Sequence, residues 1–104
     1  MLKVSVIGLG AWGSALGLTA HRAGARVTML GLEHDVKTVL KDRAVPLCPE
    51  ISFPKEMDIT ADPSVLTQSD LIVFVVPAQG LRYCIEGVKH VLPKDVPLLL
   101  RQRD

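Results

Sequence analysis

The chain has 104 residues, 48% of them hydrophobic and 22% charged, with 12 Lys and Arg against 11 Asp and Glu. That length fits one domain able to bury about two-thirds of the surface its unfolded chain exposes, which excludes disordered, collagen-like and disulfide-scaffold classes. A formal net charge of +1, without a run of like charge, argues against a nucleic-acid or acidic-membrane partner.

Cys48 and Cys84 lack C-x-x-C spacing and read as two thiols of a reduced, intracellular protein. His21, His34 and His90 form no metal-ligand pair, so no metal is expected. The stretch from Val4 to Ala20 carries no charge and superficially resembles a signal peptide. Gly8, Gly10, Gly13 and Gly17 make it a poor apolar helix, and it falls short of the roughly 18 to 20 apolar residues of a membrane span. A cytoplasmic location is the expectation.

In chain order, Val4-Ser5-Val6-Ile7 is short and β-branched, as expected of a strand buried on both faces of a parallel sheet. Apolar residues then recur at helical spacing from Ala11 to Ala23, with Gly24 at the place of a C-terminal glycine. Arg26 to Leu30 reads as a second strand and Asp35 to Arg43 as a short helix. Pro46, Pro49 and Pro54 interrupt regular structure, so residues 44–57 are expected to form a long ordered loop. Ile59 to Ala61 is a brief third strand, and Asp62-Pro63 starts a helix reaching about Gln68. Leu71 to Val76 is the strongest strand pattern, followed by a helical pattern from Gln79 to Leu92. Pro93 closes that helix, and Pro97 to Leu100 begins another buried strand. Strand–helix alternation of this kind predicts a doubly wound α/β sheet in one domain, residues 1–104, without a linker.

The chemistry concentrates at Gly8-Leu9-Gly10-Ala11-Trp12-Gly13. This is G-x-G-x-x-G directly after a strand and opening a helix. Gly8 permits the tight turn, Gly10 lets backbone approach a diphosphate, and Gly13 allows close helix–strand packing. The diphosphate would sit on the free N–H groups and positive end of the helix. An acidic residue is expected about 20 residues on, to hold the adenosine ribose of NAD. Glu33 is the nearest acid, slightly late, and no Arg stands there to take a 2′-phosphate, so NAD is favoured over NADP.

Gly8 to Leu16 closely resembles the bacterial NAD(P)-dependent sn-glycerol-3-phosphate dehydrogenases, whose usual form is G-x-G-[AS]-W-G-T-A-[LI]. Leu47-Cys48-Pro49-Glu50-Ile51-Ser52-Phe53-Pro54 is similar to that family's Y-L-P-x-I-x-[LF]-P loop. Val75-Val76-Pro77-Ala78-Gln79-Gly80-Leu81-Arg82 is similar to its A-V-P-S-Q-A-[LF]-R segment. The resemblance runs from Met1 to about Leu100. It implies a Rossmann-type sheet of strand order 3-2-1-4-5, the cofactor NAD or NADP, and interconversion of sn-glycerol 3-phosphate and dihydroxyacetone phosphate for glycerophospholipid synthesis.

Residue by residue, the resemblance places cofactor on the backbone of Ala11 and the ring of Trp12. The family's loop tyrosine falls on Leu47, and Val76 and Pro77 flank the nicotinamide half. Its basic contact to a 2′-phosphate falls on Leu32 or Glu33, and its second-strand Trp falls on Leu30. Its catalytic lysine falls on Arg103, whose guanidinium stays protonated and cannot act as a general base, so no catalytic residue is assigned. The family's helical C-terminal domain has no counterpart here, which would expose apolar surface and favour self-association. The ending Arg101-Gln102-Arg103-Asp104 is what a frameshift makes of one set of codons for Cys-Ala-Lys-Gly-Ile, an expectation that sequencing the gene past Asp104 would sink if no second frame encodes the substrate domain. Two other readings stay open at this point. One is the cofactor domain of another reductase, of ketopantoate or 6-phosphogluconate type. The other is a non-catalytic nucleotide-binding remnant.

Overall fold

The computed structural model describes residues 1–103, apart from the side chains of Ala78 and Arg101 to Arg103. The elements in chain order are β1 (Lys3–Ile7), α1 (Ala11–Arg22), β2 (Arg26–Leu30), α2 (Glu33–Asp42), β3 (Ala44–Val45), β4 (Cys48–Ser52) and β5 (Asp58–Thr60). A 3-10 helix (Pro63–Gln68), β6 (Leu71–Pro77), α3 (Ala78–Val88), a second 3-10 turn (Lys89–Val91) and β7 (Leu98–Arg103) complete them.

Five strands form a parallel sheet in the order β5-β2-β1-β6-β7. With the β3–β4 hairpin set aside, this is the Rossmann-type order 3-2-1-4-5. Strand residues alternate between two apolar layers, as a sheet covered on both faces requires. Val4, Val6, Val27, Met29, Val73 and Val75 share one layer with Val36 and Val39 of α2. Ile7, Leu30, Ile72 and Phe74 share the other with Leu66 and Val88, against which Leu81, Cys84 and Ile85 of α3 pack. Helices therefore cover both faces.

Several elements differ from the sequence expectation. Residues 44–57 are not a plain loop but hold the antiparallel pair β3–β4, with Leu47 in the left-handed region at its turn (φ 67°). Pro49 is tolerated because this two-stranded hairpin lies outside the main sheet and leaves backbone donors free to solvent. Asp62 does cap a helix, accepting from Ser64 N at 3.0 Å, but the turn that follows is 3-10. Hydrogen bonds from Ser64, chiefly its backbone N–H, hold the exposed Asp62 carboxyl below its ordinary value. The helix expected to reach Leu92 leaves α geometry at Val88, whose φ of −120° follows Gly87. α2 starts two residues early, at Glu33, where an i,i+4 pair with Lys37 (3.6 Å) supports its first turn.

Arg43 organises the excursion that the prolines disguise. It ends α2 in the left-handed conformation (φ 56°), and its carbonyl accepts from Phe53 N at 2.7 Å. Its guanidinium donates to the carbonyls of Pro54 (2.8 Å) and Met57 (2.7 Å). Phe53 and Met57 are thereby held in the core, Met57 against α1 at Gly17. Arg43→Met should lower unfolding stability by about 1.5–3 kcal/mol in urea titrations, the range for hydrogen bonds to a charged group. A change well below that would show that the excursion is held without its guanidinium.

Candidate functional site

β1 ends at Ile7, and the chain must turn sharply to begin α1 four residues later. Gly8 makes the turn at φ +126°, and a Cβ on it would overlap the carbonyl oxygen of Val75 on β6. Gly13, one turn into α1, faces the Gly8 carbonyl so closely that any Cβ would overlap that oxygen. Both glycines are thus required by the chain's own packing. Gly10 is not: a Cβ there would meet nothing within 4 Å. The space in front of it is open to an external group.

That space faces the start of α1. The first helical hydrogen bond runs from Ser14 N to Gly10 O at 2.9 Å, so the N–H groups of Ala11, Trp12 and Gly13 lack an intrahelical acceptor. Gly10 supplies no capping side chain, and no acidic residue lies in the first turn. These donors and the positive end of a 12-residue helix are suited to an anion that brings its own oxygens. Trp12 is 55% exposed beside them.

Two further segments leave the sheet next to this loop. Gly8 N donates to Leu30 O at 2.9 Å, and Gly31 has no side chain where a Cβ would stand 2.9 Å from Leu9 Cβ. The exit of β2 is pressed against the glycine loop, carrying exposed Leu32 as N-cap of α2 and Glu33 as its first residue. On the other side, β6 ends at half-buried Val76 and exposed Pro77, the residue before α3. The chain connects β1 to β2 on one side and reaches β6 on the other. The loop therefore sits at the switch point where α/β sheets bind ligands, beyond the carboxyl ends of the strands.

The structure brings Gly8, Gly10, Ala11, Trp12, Gly13, Leu32, Glu33, Val76 and Pro77 to one end of the sheet. Leu47 is 84% exposed at the turn of the β3–β4 hairpin. The side chain of Arg103 lies outside the described residues, as does Asp104 with the frame expectation that rests on it. Sequence reasoning missed two small residues with structural duties. A Cβ on Gly17 would overlap the Met29 thioether, so Gly13 and Gly17 together seat α1 on β1 and β2. The Gly13-x-x-x-Gly17 spacing was the available signal. Gly31 carried none beyond its place after a strand.

A depression of about 480 Å³ lies at the opposite end, among Lys3, Ser5, Arg26, Thr28, Asp58 and Ser69. Its floor is the buried hydrogen bond between the Ser5 and Ser69 hydroxyls. It is the wrong end of a parallel sheet for a nucleotide, having neither a strand's carboxyl end nor a long helix's N-terminus. Among the described residues, no three His, Cys, Asp or Glu side chains are grouped as a metal would need. No helix there is long and apolar enough to cross a membrane.

Fold and loop together define a Rossmann-type dinucleotide-binding domain. Residues 3–102 match the family model described as NAD-dependent glycerol-3-phosphate dehydrogenase N-terminus, and the chain belongs to that family. A glycerol-3-phosphate dehydrogenase [NAD(P)+] from Bradyrhizobium sp. strain BTAi1 is 36% identical over 97 residues, covering 92% of this chain and 30% of the relative. Among solved structures, glycerol-3-phosphate dehydrogenase from Coxiella burnetii superposes with a TM-score of 0.87 at 23% identity, over 98% of this chain and 32% of that one. A ketopantoate reductase from Ralstonia eutropha gives 0.79 at 23% identity, over 98% of this chain and 34% of that one, and shows the shared fold alone. The chain thus spans about 30% of the length of the curated relatives it matches.

The residues present fit an NAD(P) diphosphate, since Gly10 leaves open the space that the donors of Ala11, Trp12 and Gly13 face. The division of labour among the glycines can be tested by substitution. Gly13→Ala should lower stability by about 1–3 kcal/mol, because helix and loop backbone must part to admit the methyl group. Gly10→Ala should leave stability near that of the parent. Equal losses in urea unfolding would contradict the assignment.

Proposed function

We propose that this chain is the cofactor-holding part of an enzyme that interconverts sn-glycerol 3-phosphate and dihydroxyacetone phosphate for glycerophospholipid synthesis. The observation carrying this reading is the pairing of a sterically forced turn at Gly8 and Gly13 with open space at Gly10. The N–H groups of Ala11, Trp12 and Gly13 hold the diphosphate, and the Trp12 ring lies along the cofactor. Val76 and Pro77 shape the nicotinamide half. When bound, the nicotinamide supplies the hydride acceptor or donor.

Orientation of the alcohol and transfer of its proton require further groups. In this reading they come from the part of the relatives that the chain does not span. Arg103 does not substitute, since a guanidinium cannot cycle a proton at physiological pH. Holding both reactants is worth roughly 7–11 kcal/mol of barrier, and a domain that holds one of them forfeits that contribution. A cytoplasmic location accords with thiols at Cys48 and Cys84, the latter pushed up in pKa by burial. Half-exposed Leu98, Leu99 and Leu100 along the open edge of β7 favour self-association.

Calorimetric titration with NADH tests the binding half of the proposal. Gly10→Val should abolish binding while leaving the circular-dichroism spectrum unchanged, whereas unchanged affinity would place the nucleotide elsewhere. The catalytic half is tested with dihydroxyacetone phosphate. The 104 residues alone should give no turnover above background, and a fusion carrying a relative's remaining chain after Leu100 should be active. Saturable turnover by the short chain would overturn the division of roles.

A further inference from the structure

We propose that the depression at the amino end of the sheet binds a compact oxyanion, the phosphate or carboxylate group of a small molecule other than the dinucleotide. This site stands independently of the cofactor reading. The depression measures about 480 Å³, within the roughly 300–1,000 Å³ of small-molecule sites.

The strand register builds it. Lys3 pairs with Arg26 and Ser5 with Thr28 between β1 and β2, and Thr28 pairs with Asp58 of β5. Side chains two apart along a strand share a face, so all five stand on the face that carries Ile7 and Leu30 further along. Parallel sheets covered on both faces are apolar almost without interruption. Here two adjacent rows are polar instead. Above them the 3-10 helix turns Val65 and Leu66 into the apolar layer, while its C-cap, Ser69, lines the depression.

Pairing within the depression is incomplete in two places. The Ser5 and Ser69 hydroxyls are 3% and 6% exposed and hydrogen-bond each other. Two hydroxyls carry two protons, and their mutual bond uses one. The other proton has no acceptor among the described residues, although its oxygen is buried at the floor of the depression. A buried donor without a partner is costly, and an acceptor entering from the depression relieves it. The second place is the cationic rim. The ion pairs among the described residues leave out the Lys3 ammonium, and Arg26 meets Asp58 at a long 3.9 Å with both side chains more than half exposed.

Two cations against one carboxylate give the depression a positive balance, and its floor offers a spare donor. An oxyanion answers both, accepting from the floor and drawing the cations over it. A neutral polyol leaves the charge unanswered, and a cation meets Lys3 and Arg26.

An NMR titration of the isotope-labelled chain with inorganic phosphate and with acetate, at ionic strength held constant by sodium chloride, reads the site directly. Saturable shifts are expected at the amides of Ser5, Arg26, Thr28 and Ser69, and the tighter probe tells whether a phosphoryl or a carboxyl group is preferred. Arg26→Gln should weaken binding about three- to tenfold, and Asp58→Asn should tighten it by a similar factor. Ser5→Ala combined with Ser69→Ala removes both hydroxyls and leaves neither orphaned, so it should weaken binding in a chain that stays folded by circular dichroism. If that double variant unfolds, the two exposed-site variants still decide the matter. Shifts confined to the amides of Ala11 to Gly13, no saturable shift at all, or glycerol binding as tightly as phosphate would each overturn the proposal. Unchanged affinity in Arg26→Gln and Asp58→Asn would do the same. Unchanged affinity in the folded double variant overturns the role given to the hydroxyls.

Discussion

The carbonyl oxygen of Gly8 occupies the space that any side chain at position 13 would need. This backbone-to-backbone contact sets how α1 lies against β1, and much of the site follows from it. Because α1 comes this close, a side chain at Gly17 would displace the Met29 thioether, and Met29 with Met57 fills the layer beneath the helix. The helix axis then points its uncapped first turn over the sheet edge at the exits of β2 and β6. A dinucleotide needs that geometry more than it needs any single side chain, since most of its recognition at the diphosphate is by backbone donors.

The two ends of the sheet contrast in a way that makes one of them suited to a dinucleotide. At the carboxyl end, polar backbone groups are left free and the space before them is open. At the amino end, polar side chains are present but largely paired with one another. Ser5 bonds Ser69, Arg26 lies 3.9 Å from Asp58, and the Asp70 carboxylate accepts from Lys3 N at 2.8 Å. The connection from β5 to β6 is a single 3-10 helix of six residues instead of a full crossover helix, so it roofs that face only partly. The strands below answer with Ser5 and Thr28 where the upper part of the same face carries Ile7 and Leu30. The lower depression is the consequence of a short roof.

The parallel sheet was legible in the sequence because its strands are buried on both faces. Runs such as Leu71 to Val76, six residues long, rich in β-branched side chains and followed by Pro77, are marked as strands by length and composition. The glycine loop was legible because backbone sterics leave little alternative to glycine at positions 8 and 13. The β3–β4 hairpin was not legible, since four of the five residues of β4 are exposed and it contains Pro49. The segment that follows it is braced by Arg43 reaching carbonyls more than ten residues away, a tertiary contact without local signature. Helix ends failed for a related reason. Glu33–Lys37 pairing and the φ of Val88 are decided by neighbours, while periodicity reports only the middle of an element. Leu47 is named for the cofactor by resemblance alone, and it stands exposed at the hairpin turn in the left-handed region.

The central claim is that backbone donors opening α1 receive the cofactor's diphosphate. An NMR titration of the isotope-labelled chain with NADH observes those donors one by one. The account predicts saturable shifts of the Ala11, Trp12 and Gly13 amides, accompanied by those of Gly31 to Glu33. Shifts confined to Lys3, Arg26 and Ser69 at the opposite end of the sheet, or no saturable shift at all, would contradict it.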